Sequence, residues 1–173
     1  MSYRRFAAMI AVSTVVMFGL MYLNTFALEH VRYSQTRTWM ALVMGAAMAV
    51  IMLGFMWGMY RNRRANLAIL AGAAAVFAGA LWLVRSQQTV GDVAYMKAMI
   101  PHHSIAILTS ERAQIRDERT RLLADRIIEA QVREIAEMEA LIAELQRNPP
   151  AGDAPVLPSY RERGAPKPPP PAR

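Results

Sequence analysis

Residues 39–60 read WMALVMGAAMAVIMLGFMWGMY, and none of them is charged. An α-helix rises about 1.5 Å per residue, so about 20 apolar residues cross the hydrocarbon core of a bilayer. Uncharged stretches of similar length lie on either side, at residues 6–28 and 66–84. Soluble proteins bury shorter, periodic apolar runs. The sequence therefore predicts a region of three transmembrane helices in residues 1–86, with the lipid bilayer as its surroundings.

Positive charge is concentrated at the ends of these apolar stretches. The formal net charge is +7, and residues 1–85 alone carry eight Arg and one Glu. Most of these Arg precede the first stretch or separate the second from the third, and cytoplasmic loops are enriched in Arg and Lys. We therefore expect a cytoplasmic N-terminus and a C-terminal domain in the periplasm or outside the cell.

Composition also excludes some function classes. Residues 86–148 carry eight basic and ten acidic side chains, so they lack the basic stripe that nucleic-acid binding needs, and we expect no nucleic-acid partner. The chain contains no Cys, which excludes disulfides and thiolate metal sites.

Residues 87–148 have the periodicity of an antiparallel helical hairpin. Thr89 and Asp92 have the spacing of a capping box at the start of its first helix, and the charged residues 116–119 predict the turn. An apolar stripe predicts a second helix that ends near Gln146. Two helices alone cannot bury both stripes, so we expect the hairpin to dimerise into a ferritin-like four-helix bundle or to dock on the transmembrane helices.

The segment 149–173 has a different composition. It contains nine of the ten prolines and few apolar residues, which is typical of a disordered or polyproline-like tail. The predicted fold is therefore all-α in three parts: a three-span region at 1–86, a hairpin domain at 87–148 and a Pro-rich tail at 149–173.

The hairpin carries Met and His at a spacing that suggests a metal site. Residues 95–103 read YMKAMIPHH. At about 100° per residue, Met96, Met99 and His103 share one face of the first helix, whereas His102 points about 100° away. If the chain turns near residue 116, the second helix brings a carboxylate and a thioether to the same level. These are Glu134 and Met138, with Gln131 nearby on the same stripe.

These residue types are ligands for copper. Thioether sulfur favours Cu(I) or Ag(I), and imidazole with carboxylate can hold Cu(II). A structural interpretation is also open, since Met commonly fills gaps in cores and a buried Glu can simply pair with a His. No Glu-x-x-His or His-Glu-x-x-His pattern is present, so no catalytic residues are predicted and the protein is not expected to be an enzyme.

Methionines also recur every fourth residue along the second apolar stretch, at positions 40, 44, 48, 52 and 56. Such a ladder suits a thioether track for Cu(I), but it equally suits apolar packing beside the small residues Gly45 and Ala49. His30, at the outer end of the first stretch, is a candidate for the same pathway or an ordinary interfacial residue.

The MIPHH motif at 99–103, with the later Gln-x-x-Glu-Ile-x-x-Met at 131–138, resembles the domain of unknown function 305 family, which includes CopM-like periplasmic copper-binding proteins. The resemblance covers about residues 92–145, and with the three spans it is similar to a membrane-anchored form found in bacteria. It implies a ferritin-like bundle, a place at the bacterial inner membrane and handling of copper or silver. It also implies roles as metal ligands or their neighbours for Met96, Met99, His102, His103, Glu134 and Met138.

The leading hypothesis is a non-enzymatic, membrane-anchored copper- or silver-binding protein for metal tolerance or delivery. We expect it to form a homodimer and to meet metal-handling partner proteins. The alternative is a membrane-tethered helical module for dimerisation or partner docking, in which the two His are structural. An oxidoreductase acting on metal ions is the weakest candidate.

Overall fold

Helices are the only regular elements in the residues that the computed structural model describes, which are 2–160 and 162–164. In chain order they are α1 (Tyr3–Leu20), α2 (Gln35–Phe55), α3 (Arg63–Ser86), α4 (Asp92–Arg112) and α5 (Glu118–Arg147), with single 3-10 turns at Leu28–His30 and Trp57–Met59. The predicted all-α fold class is confirmed for these residues.

The first three helices are each long and apolar enough to cross a membrane, as predicted. Their contact surface is built largely from small side chains, with Ala46 and Ala49 of α2 and Ala73 of α3 buried beside Leu53 and Phe6. Small residues let helices approach closely, and close packing drives helix association in lipid. Larger apolar side chains on the outer surfaces of these helices stay exposed, which suits contact with lipid.

The N-terminus and the α2–α3 connection lie at the same end of the three-helix region. The hydroxyl of Tyr3 donates to Oδ1 of Asn66 (2.8 Å), and Nδ2 of Asn66 donates to the carbonyl of Tyr60 (2.9 Å). Asn66 is fully buried. Its hydrogen bonds offset the free-energy cost of burying a polar side chain. The arginines near the N-terminus and in the α2–α3 connection therefore share one end, opposite the hairpin.

The first span is shorter than predicted, because α1 ends at Leu20 and not near residue 28. The amides of Tyr22 and Leu23 donate to carbonyls three residues earlier, both at 3.1 Å, which tightens the last turn and ends the helix. The hydroxyl of Tyr22 then accepts from the amide of Ser34 (2.9 Å). Residues 21–34 thus form a structured segment, which we call the outer loop.

The N-cap residues of the two hairpin helices differ from the predicted ones. The capping-box prediction is wrong, because Gly91 is the N-cap of α4 and no side chain caps it. Thr89 instead lies within a tight turn closed by the amide of Val90 on the carbonyl of Gln87 (2.9 Å). The second helix is capped by Asp117, whose carboxylate accepts from the amide of Thr120 (3.0 Å).

The hairpin is held by a small core and docks on the outer loop of its own chain. Ile100, Ile107 and Ile135 form the core between α4 and α5. Ser104 is fully buried, and its Oγ accepts from the amide of Phe26 (2.8 Å) and lies 2.9 Å from Nδ1 of His30. Docking on the transmembrane helices was predicted to cover the hairpin. In the structure α4 contacts the outer loop and, to a small extent, α2, while apolar side chains of α5 stay exposed. Dimerisation into a four-helix bundle stays a prediction.

The Pro-rich segment follows α5 without further helix or strand in its described part, residues 149–160 and 162–164. Residues 161 and 165–173, to which the predicted disordered tail also extends, lie outside the described residues.

Candidate metal site

A groove of about 680 Å³ lies between α4 and α5. Five of the six predicted ligands line it together: Met96, Met99, His103, Glu134 and Met138. The remaining lining residues are Asp92, Tyr95, Glu137, Leu141, Leu145 and Pro150. The helical period therefore predicted correctly which faces of the two helices meet.

His103 is anchored at both ring nitrogens. Its Nδ1 lies 2.9 Å from the carbonyl oxygen of Met99, and its Nε2 lies 2.8 Å from Oε2 of Glu134. A carbonyl oxygen only accepts, so Nδ1 carries the proton of that contact and Nε2 is directed at the carboxylate. Metal-binding histidines commonly have this arrangement, with one N–H held by a backbone carbonyl and the other nitrogen facing the ion.

The same pair is also stable without an ion. A protonated His103 donates from both nitrogens and forms an ion pair with Glu134. The two side chains differ in exposure, at 13% for His103 and 43% for Glu134. The pair is therefore open to solvent on the Glu134 side, where water screens the attraction and an ion has access.

The thioethers complete the donor set. Met96 is buried, while Met99 and Met138 are half-buried, and Met138 also packs on the isoleucine core. Among the described residues, no group of three or more His, Asp or Glu side chains is placed to hold an ion. His103 and Glu134 supply one nitrogen and one carboxylate, and the groove offers the methionine sulfurs and the carboxylates of Asp92 and Glu137 besides.

His102 lies apart from the groove. Its ring centroid is 6.3 Å from that of His103, and the ring planes differ by 71°. It lines a separate cavity of about 320 Å³ between α4 and the outer ends of the membrane helices, together with Met21, Met40, Met44 and Met99. The two histidines therefore face different cavities, as their angular separation along the helix predicts. Gln131 lines neither cavity.

Two polar features went unrecognised in the sequence. Glu137 adds a carboxylate to the groove, and its position one helical turn after Glu134 was an available signal. Ser104 joins the hairpin to the outer loop through Phe26 and His30. No pattern in the sequence indicates that contact, because residues 74 and more positions apart meet there.

Comparison with known proteins finds a similar protein and a similar family model. One relative is "Uncharacterized protein L153" of Acanthamoeba polyphaga mimivirus, which is 38% identical over 66 residues, covering 37% of this chain and 43% of the relative. The chain thus spans less than half the length of that relative. No solved structure matches. Residues 92–167 match the family model described as Domain of unknown function (DUF305). This range contains every residue that lines the groove.

Proposed function

We propose that this protein binds copper or silver ions in the groove between α4 and α5, as a membrane-anchored protein for metal tolerance or delivery. One observation carries the proposal. One imidazole, three thioethers and three carboxylates, drawn from two helices, line one groove. Because thioethers are soft ligands, this donor set favours Cu(I) and Ag(I), and the imidazole–carboxylate pair extends it to Cu(II).

The geometry of the pair suits an ion as well as a hydrogen bond. Two neighbouring ligands in the square-planar coordination typical of Cu(II), with bonds of about 2.0 Å, are about 2.8 Å apart. His103 Nε2 and Glu134 Oε2 are 2.8 Å apart. A metal ion bound by this pair would replace the proton between Nε2 and Oε2. The Met99 carbonyl holds the imidazole ring during that change.

The proposed location is the bacterial inner membrane, with the hairpin in the periplasm or outside the cell. The arginines at one end of the three-helix region support a cytoplasmic position for that end, and the hairpin lies at the opposite end. A groove on that side meets metal ions before they reach the cytoplasm, which suits tolerance or delivery to a partner protein.

A second candidate is a membrane-tethered module for dimerisation or partner docking. It is supported by exposed apolar side chains on α5, with Leu122, Leu123 and Val132 each more than half exposed. In that case the His103–Glu134 pair is an ion pair between helices and needs no metal. The two candidates differ in whether the groove binds an ion at all.

Titration of the full chain in detergent or nanodiscs with Cu(I), under reducing conditions, tests the proposal. We expect the double variant His103→Ala, Met138→Leu to lose one saturable ion per chain, whereas His102→Ala keeps the groove ion. Glu134→Gln, which preserves side-chain shape, is a second groove variant for the case in which the double variant unfolds. Unchanged binding in both groove variants contradicts the proposal and leaves the docking module.

A further inference from the structure

The cavity that contains His102 has its own set of soft donors. It is lined by methionines from three elements: Met21 of the outer loop, Met40 and Met44 of α2, and Met99 of α4. Met40 and Met44 are one helical turn apart, so their side chains lie on the same face of α2, about 6 Å from each other. The cavity thus joins the outer end of the methionine ladder to an imidazole of the hairpin.

The other side chains that line the His102 cavity bear on the charge of the ion that it would bind. They are Ser34, Thr36, Arg37, Gln87, Tyr95 and Ala98, so the cavity has no carboxylate among its lining residues. Divalent ions such as Cu(II) are stabilised by carboxylate and imidazole ligands, whereas thioethers select Cu(I). This lining therefore favours a soft monovalent ion more strongly than the groove does, where Asp92, Glu134 and Glu137 are present.

The positive charge of Arg37 is already committed to other partners. Its guanidinium donates to the carbonyl of Met21 and lies over the ring of Tyr22, 4.3 Å from the centroid. These contacts orient the guanidinium but leave its positive charge in place. The charge of Arg37 disfavours a divalent ion more than a monovalent one, because the repulsion scales with the ion's charge.

The two cavities share part of their walls. Met99 and Tyr95 line both the groove and the His102 cavity. Met99 is therefore placed to offer its sulfur to either site.

We propose that His102, Met40 and Met44 hold a second soft monovalent ion, Cu(I) or Ag(I), in the cavity between the hairpin and the membrane helices. This inference rests on the proposed metal-handling function and extends it from one site to two. This second site is selective for monovalent ions, while the groove accepts either oxidation state of copper. The first two methionines of the α2 ladder are then ligands of this second site.

The test compares ions bound per full chain, in nanodiscs, for Ag(I) and for Cu(II). We expect two Ag(I) per chain for the wild type, and one for the variant Met40→Leu, Met44→Leu, since Leu keeps volume and apolarity but removes sulfur. The matched control is Met48→Leu, Met52→Leu, which changes two rungs of the same ladder outside the cavity and should keep two. For Cu(II) we expect one ion per chain, unaffected by the Met40 and Met44 changes.

The outcomes separate this inference from the proposed function. Two Ag(I) in the Met40→Leu, Met44→Leu variant, or equal loss in the Met48→Leu, Met52→Leu control, overturns the second site. Retention of both Ag(I) in Glu134→Gln and in His103→Ala, Met138→Leu overturns the groove site and leaves the second site standing. His102→Ala checks the imidazole independently, and it must lose the same single Ag(I) as the Met40→Leu, Met44→Leu variant.

Discussion

The imidazole of His103 connects the two helices of the hairpin through Glu134, with 2.8 Å between Nε2 and Oε2. The opposite ring nitrogen is fixed 2.9 Å from the Met99 carbonyl, one turn earlier in the same helix. The ring therefore has little freedom, and its partner Glu134 on α5 is the more exposed of the two side chains. Because the ring is already oriented, an ion that replaces the shared proton pays little further entropy for ordering it.

Replacing Glu134 by Gln should weaken copper binding at least tenfold. Gln keeps the shape but removes the negative charge that stabilises a bound cation, and changes to groups around a metal commonly cost 10- to 100-fold in affinity, roughly. The measurement is competition with a copper chelator of known affinity. Glu129→Gln is the matched control, since Glu129 is an exposed residue of the same helix, and an equal loss there would contradict a specific role for Glu134.

Replacing Ser104 by Ala should loosen the docking of the hairpin on the outer loop. Ser104 is fully buried and accepts from the Phe26 amide at 2.8 Å, so its loss leaves a part-buried N–H unpaired at a cost of about 1–3 kcal/mol. The measurement is hydrogen exchange of the outer loop, which should become faster. Ser110→Ala, on the same helix, serves as the control, and equal exchange in both variants would show that the Ser104 contact does not hold the loop.

The helical period placed most of the groove residues correctly but also put Gln131 beside them, where it does not line the groove. The contacts that depend on where α1 ends were not predicted. Met96, Met99 and His103 share a face because of the helical repeat, and a turn near residue 116 sets their level against Glu134. The Ser104 contact depends on the early end of α1 at Leu20, which frees Phe26 to turn toward the hairpin. Hydropathy does not reveal that end, because residues 21–28 are also uncharged.

Helix starts were predicted less well than helix faces. Thr89 and Asp92 have capping-box spacing. However, Thr89 lies inside the turn that the Val90 amide closes on the Gln87 carbonyl, and Gly91 is the N-cap. Asp117 was assigned only to a charged turn, although Asp is a favoured N-cap residue. A capping-box spacing therefore indicates a possible N-cap residue, but the turn before the helix determines which residue is the N-cap.

Replacing Ile100 by Ala should destabilise the hairpin by about 2–5 kcal/mol, because truncation of a fully buried side chain leaves a cavity. Ile100 is 0% exposed within the core between α4 and α5. The measurement is the thermal transition followed by circular dichroism. Leu122→Ala is the control, because Leu122 is 56% exposed and should change stability by only about 0.5 kcal/mol or less. Equal shifts in the two variants would contradict this core.

The cap of α5 should make hairpin stability depend on pH in the acid range. The Arg119 guanidinium, and next the Thr120 amide, lower the pKa of the Asp117 carboxyl below its usual value. A lowered folded-state pKa stabilises the fold above the unfolded pKa of about 3.9, and the contribution is lost as pH falls through the folded value. Asp117→Asn keeps a capping oxygen without the titration. Its stability should approach that of the wild type below about pH 4, and a gap that widens there would contradict the cap's role.

The central claim is that methionine sulfur and the His103 imidazole hold one ion in the groove. X-ray absorption at the copper edge tests it directly, on Cu(I)-loaded full chain carrying His102→Ala, Met40→Leu and Met44→Leu, so that only the groove is loaded. We expect both sulfur and nitrogen or oxygen neighbours, with fewer sulfur neighbours after Met138→Leu and fewer nitrogen neighbours after His103→Ala. A spectrum with no sulfur neighbours, or one that neither substitution changes, would contradict it.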